Sequence, residues 1–125
     1  VKILEDSLID CLKEYSINAY GSTEYPGVWV EEKKIASIGI SISQRVSFHG
    51  MAVNVSNSLD TFSHITACGL TGKVITTLSR LTKKPIPTSE LADIFIQKFS
   101  TRLNCHPHKY NSNKESMEKL ISSLK

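Results

Sequence analysis

Cysteine is scarce in this chain: Cys11, Cys68 and Cys105 are all there is, an odd number at wide spacing. That pattern excludes a disulfide framework and points to a reducing compartment, where each cysteine needs its own explanation. Long apolar runs are missing too. Nothing approaches the roughly 20 residues of a membrane span, and no stretch has the charged, apolar, small-residue order of a signal peptide. Charge of one sign is also lacking. The net charge is +3, but residues 106–125 hold four Lys against two Glu, whereas residues 1–105 hold eleven Lys and Arg against ten Asp and Glu. The body of the chain is therefore close to neutral. With no basic stripe interleaved with aromatics, a nucleic-acid partner has little support. There is no glycine-rich phosphate loop and no internal repeat. What remains is a chain of 125 residues, 40% apolar, enough for one domain with a real core.

Helical spacing of Leu4, Leu8, Cys11, Leu12 and Tyr15 predicts an amphipathic helix over 3–15. Turn signals follow at Asn18, Gly21, Ser22 and Pro26-Gly27. Residues 28–42 read as a β-hairpin: Val28-Trp29-Val30, a polar turn at Glu31-Glu32-Lys33, and a second strand over 34–42. Alternation puts Ala36, Ile38, Ile40 and Ile42 on one face of that strand, with Lys34 on the same face at its entry end. Ser37, Gly39 and Ser41 take the other face, where Gly39 leaves room for something to approach the backbone. A third strand is expected over 50–55. Ala67-Cys68-Gly69 then leads into a helix from about Thr71 to Leu81, stopped by Lys83-Lys84-Pro85. Thr88 or Ser89 is expected to cap a further helix through Leu103. In the polar tail, 106–125, Ser112 to Glu115 has the form of a capping box ahead of one short helix. The element order is α+β, and hairpin-linked strands argue against an all-parallel sheet.

Cys68 is the first residue with chemical potential. In a turn just ahead of a helix, a thiolate is stabilised by the helix N-terminus and its pKa falls. Gly69 would let a substrate carbonyl approach backbone N–H groups. From spacing alone, a small buried cysteine in a turn is the commoner explanation. Lys34 starts an apolar strand face, and a partly desolvated lysine can accept a proton from a thiol; a solvated lysine beside Lys33 is the plainer alternative. His49 is an acid–base candidate or a structural group at a strand end. Cys105-His106-Pro107-His108 lacks a second ligand pair at zinc spacing, so no metal site is assigned. Cys11 lies on the apolar stripe and reads as core, as does Trp29.

Taken together, four ordered segments carry a more specific signal. They are Pro26-Gly27-Val28-Trp29-Val30, Lys34-Ile35-Ala36-Ser37-Ile38-Gly39, Phe48-His49-Gly50-Met51-Ala52-Val53-Asn54-Val55 and Ala67-Cys68-Gly69-Leu70. Over residues 26–81 their order, spacing and residue types resemble the lipoate-protein ligase B family, octanoyl-[acyl-carrier-protein]:protein octanoyltransferases of lipoate biosynthesis. The resemblance implies an α+β, biotin/lipoate ligase-like mixed sheet flanked by helices. It implies Cys68 as nucleophile, Lys34 as its proton partner, and two substrate-lining segments, Ser37-Ile38-Gly39 and Gly50-Met51-Ala52. His49, Asn54 and Gly69 would support the site. No cofactor is implied. The implied partners are octanoyl acyl carrier protein and the lipoyl domains of 2-oxoacid dehydrogenases and the glycine cleavage H protein, in the cytoplasm or a mitochondrial matrix. An ATP-dependent lipoate or biotin ligase-like protein, and a non-catalytic carrier- or lipoyl-domain-binding remnant, are the alternatives.

Two departures stand out. Family members usually carry Pro before the cysteine, where this chain has Ala67. The family's Arg-Gly-Gly and Tyr-His-Gly-Pro-Gly segments, which line the acyl pocket, are not in this chain. Residues 1–105 are therefore expected to be the C-terminal portion of a larger catalytic domain, whose N-terminal part is on the same parent chain or on another subunit.

Overall fold

The computed structural model describes residues 1–60 and 75–107. Helix α1 spans Lys2–Glu14, close to its expected limits. Leu8, Cys11 and Leu12 form its buried stripe, all fully shielded from solvent, and each leucine contributes about 2 kcal/mol by leaving water. The chain then enters a four-stranded antiparallel sheet in sequence order: β1 (Tyr20–Gly21), β2 (Gly27–Val30), β3 (Lys33–Ser43) and β4 (Val46–Val53). Helices α2 (Leu78–Thr82) and α3 (Thr88–Leu103) follow. α1 packs on α3 and reaches β1 and β2. One core joins Leu8, Cys11 and Leu12 to Val28 and Val30, Ile35 and Ala36, Val55, Leu78 and Leu91. At the helix surface, Arg102 of α3 pairs with Asp10 and Lys98 with Glu14. The Arg102 guanidinium holds the Asp10 carboxyl below the usual carboxylate range.

Two tight turns join β2 to β3 and β3 to β4, and only the first is signalled by its residues. Val30 pairs with Lys33 across Glu31-Glu32, so Lys33 belongs to β3 rather than to the turn. Ser43 pairs with Val46 across Gln44-Arg45, and both turn residues have positive φ, 49° and 66°. Such a two-residue turn normally recruits Asn-Gly, because most side chains resist left-handed backbone by about 1 kcal/mol or more. The double change Gln44→Asn with Arg45→Gly is therefore expected to stabilise the chain by about 1 kcal/mol. Urea denaturation should show a higher midpoint; an unchanged or lower one would mean the turn is not strained as described.

Three further differences from the expected elements have local causes. β1 was hidden because Tyr20-Gly21 is only two residues long and lies among turn signals, yet it pairs with Trp29 and Val28. The helix expected from about Thr71 is not helical at 75–77. Ile75 makes a parallel bridge to Lys34, and Thr77 is extended and caps α2 by accepting the Arg80 N–H. The third helix starts at Thr88 itself, with Pro87 in the cap position and no side-chain cap bond, as suits a proline whose fixed φ pre-sets the entry to a helix. Asn104, in left-handed conformation, closes its far end.

Candidate active site

The register of β3 corrects the expected placement of Lys34. Ala36 pairs with Val28, but Lys34 pairs with Trp29, so one step on β2 faces two on β3 and Ile35 is the extra residue of a bulge. Ile35 and Ala36 both enter the core. Strand parity is broken between Lys34 and Ala36, and Lys34 shares its face with Trp29, away from the helices. Without the bulge, alternation would have turned the lysine toward the core, where an unpaired ammonium is costly.

On that face Lys34 is half-buried and tightly bounded. Its Nζ stands 5.6 Å from the Trp29 ring centroid, a cation–π contact worth about 1 kcal/mol. The indole is itself fixed, since Trp29 Nε1 donates to the Tyr25 carbonyl at 3.0 Å. Gly27 forms the other wall: a Cβ built there would lie 2.6 Å from Lys34 Cε and 2.3 Å from the Ala36 carbonyl oxygen, and its φ is +141°. Only glycine allows this approach. Lys34 also meets the returning chain, because its carbonyl accepts the Thr76 N–H at 3.0 Å beside the Ile75 bridge.

The two expected substrate-lining segments lie opposite each other in exact register. Ser37 pairs with Ala52, Ile38 with Met51 and Gly39 with Gly50. Pairing partners share a face, so Ser37, Ala52, Gly39 and Gly50 continue the Lys34 side as a track of small residues. Ser37, Gly39 and Ala52 are exposed, and a Cβ at Gly39 or Gly50 would meet nothing within 4 Å. Ile38 and Met51 point to the helix side, where Met51 packs on the core. Asn54 braces the region beside Lys34. Its N–H donates to the Ile35 carbonyl, its carbonyl accepts the Leu78 N–H, and its Oδ1 accepts from Asn57.

His49 is not brought to Lys34. It sits opposite Ile40, six residues further along β3, or about 20 Å of strand. Its φ of +72° is unusual inside a strand, and its ring tilts against Phe48 at 4.8 Å. Cys68 and Gly69 lie outside the described residues, as do His108 and the tail helix expected after Ser112. Of the other two cysteines, Cys105 is exposed. Cys11 is fully buried, and burial pushes its thiol up to about 11, which leaves it without thiolate character near neutrality. No group of three or more metal-ligating side chains occurs among the described residues, and no helix there is long and apolar enough to cross a membrane. Glu5, which the sequence gave no reason to single out, reaches the Gly27 N–H from α1. A carboxylate in the first turn of a helix is ordinary, and only the fold reveals that this one turns inward.

The chain is similar to several proteins of known type. The octanoyltransferase of Dictyoglomus thermophilum is 55% identical over 75 residues, covering 60% of this chain and 32% of that protein. The octanoyltransferase of an Enterobacter species is 36% identical over 110 residues, covering 88% of this chain and 51% of that protein. The chain thus spans about a third to a half of the length of the curated relatives it matches. In three dimensions it resembles a bi-partite lipoate protein ligase from Thermoplasma acidophilum, with TM-score 0.74 and 15% identity, over 98% of this chain and 51% of that one. That likeness establishes the lipoate-ligase type of α+β fold. The family model described as Lipoyl protein ligase A/B catalytic domain matches residues 1–100. The chain therefore belongs to the lipoyl protein ligase A/B catalytic domain family.

Proposed function

We propose that this chain supplies the acyl-transfer machinery of an octanoyltransferase, moving an octanoyl group from acyl carrier protein to a lysine of a lipoyl domain through a Cys68 thioester. The observation that carries the reading is the setting of Lys34. It is a half-buried lysine held on the open face of the sheet, between Trp29 and Gly27, at the head of the small-residue track. Ile75, seven positions after Cys68 in the sequence, bridges to Lys34.

In this reading Lys34 takes the Cys68 proton. The thiolate attacks the octanoyl thioester, the carrier thiolate leaves, and the Lys34 ammonium returns the proton to it. The incoming lysine amine then attacks the enzyme thioester and passes a proton to Lys34 as the Cys68 thiolate departs. A thioester is already an activated acyl donor, so neither ATP nor a cofactor is required. An extended eight-carbon chain is about 9 Å long, roughly what three strand residues cover. A chain anchored beside Lys34 would run along Ser37 and Ala52 toward Gly39 and Gly50, where no side chain obstructs it. Asn54 acts as a support next to the lysine, and His49 as a support of the strand pair beyond Gly39 and Gly50. The octanoyltransferase names of the relatives and the lipoyl domain that accompanies the Thermoplasma ligase favour lipoyl-domain acceptors.

Intact-protein mass spectrometry after mixing with octanoyl acyl carrier protein tests the nucleophile. A single octanoyl mass gain is expected in the wild type and none in Cys68→Ala. A gain that persists in the variant removes Cys68 from the mechanism. ATP-dependent pyrophosphate release with free octanoate would instead establish a ligase.

A further inference from the structure

Glu5 lies in the first turn of α1 with its side chain turned inward, and the residue is only 7% exposed. Its Oε1 accepts the Gly27 N–H at 3.3 Å. Its Oε2 lies over Gly21, so close that a Cβ on that glycine would come within 2.8 Å of it. The carboxylate is thus committed to the two glycines that bracket the 21–27 loop. A buried carboxylate is expensive unless hydrogen-bonded, and nothing in the packing of α1 requires one here, since the neighbouring inward positions are Leu8, Cys11 and Leu12. What it holds is informative. Gly27 is the wall against which Lys34 Cε rests, and the loop it closes carries Tyr25, whose carbonyl orients Trp29.

The geometry points to Glu5 as a positioning residue for Lys34. By fixing the Gly27 N–H from the helix side, it keeps the Gly27–Trp29 channel at the width that confines the lysine stem and aims its amine along the open face. The inference rests on the reading of Lys34 as the proton partner of Cys68. It adds a residue, two elements away in the fold, on which the lysine's placement depends.

Trace acetylation with acetic anhydride, quantified per lysine by peptide mass spectrometry, measures how freely the Lys34 amine reacts. In Glu5→Ala, Lys34 labelling is expected to rise several-fold while Lys33 and Lys13 stay at their wild-type rates. Glu5→Gln should match the wild type, because its amide oxygen can accept the same bond. Gly21→Ala keeps Glu5 but pushes its carboxylate away, and should move Lys34 in the same direction as Glu5→Ala. Unchanged Lys34 labelling in both Glu5→Ala and Gly21→Ala overturns the inference. So does a parallel rise at Lys33 and Lys13, which would report general loosening. The pH profile of Cys68 alkylation tests the underlying reading separately. Lys34→Met should raise its midpoint by about one pH unit, a tenfold loss of thiolate below it, and Glu5→Ala should follow in the same direction. A midpoint unmoved by Lys34→Met would end the Lys34–Cys68 pairing, and the acetylation rates would still decide whether Glu5 positions the lysine.

Discussion

Lys34→Met should slow acylation of Cys68 by roughly a hundred- to ten-thousandfold, the usual contribution of a positioned acid–base group. Methionine is the informative replacement because it keeps an unbranched apolar stem. The contacts to Trp29 and to the Gly27 wall are largely retained, so the loss should appear in the chemistry and not in a denaturation midpoint. Lys34→Arg separates two roles. A guanidinium keeps the positive charge that stabilises a thiolate but cannot give up its proton near neutral pH. If charge alone matters, the arginine variant should acylate nearly as well as wild type; if proton transfer matters, it should resemble the methionine variant. Single-turnover accumulation of the octanoyl adduct gives the rates. A methionine variant that acylates at the wild-type rate would remove Lys34 from proton transfer.

Gly27→Ala is the change expected to damage the fold most. Its Cβ would lie 2.3 Å from the Ala36 carbonyl oxygen, a backbone atom that cannot step aside without shifting β3. The φ of +141° adds strain for any side chain. Together these should destabilise the chain by roughly 3 kcal/mol, read as a fall in the urea midpoint at constant slope. The same methyl would displace Lys34 Cε, so activity should fall further than the folded fraction does. A variant with wild-type stability would mean that β2 and β3 are further apart than described.

How much of this was legible in the sequence depends on the kind of information involved. Helix α1 and the first hairpin were legible because period and turn composition are local properties, and Leu8, Cys11 and Leu12 do form the core stripe. The Gln44-Arg45 turn was not, because neither residue advertises a positive φ, and the hairpin is held together by the cross-strand register from Ala36–Val53 to Ser43–Val46. The face of Lys34 was misassigned for a related reason. A bulge leaves no compositional mark in Lys34-Ile35-Ala36 and is decided by what β2 offers opposite. The helix expected from Thr71 lost its described first turn, residues 75–77, to the pairing of Ile75 with Lys34, a tertiary contact that overrides local propensity. Candidate site residues came from ordered motifs and not from periodicity. The pairing of Ser37-Ile38-Gly39 with Gly50-Met51-Ala52 gives those motifs a common geometry, whereas His49 proved remote from Lys34.

The bulge at Ile35 carries a consequence for how this stretch can change over generations. Along Ile35 to Ser43 many residues could be exchanged for others of similar size, because each position is specified only by the side of the sheet it occupies. Length is a different matter. Removing one residue from the Glu31-Glu32 turn, with Ala36 kept opposite Val28, would restore simple alternation and carry the ammonium to the opposite side, whereas removing Ile35 itself would leave the lysine opposite Trp29 and take an apolar side chain out of the core. The segment should therefore drift in composition but not in spacing, and an insertion or deletion there would sort related chains into those that retain the lysine's position and those that have lost it.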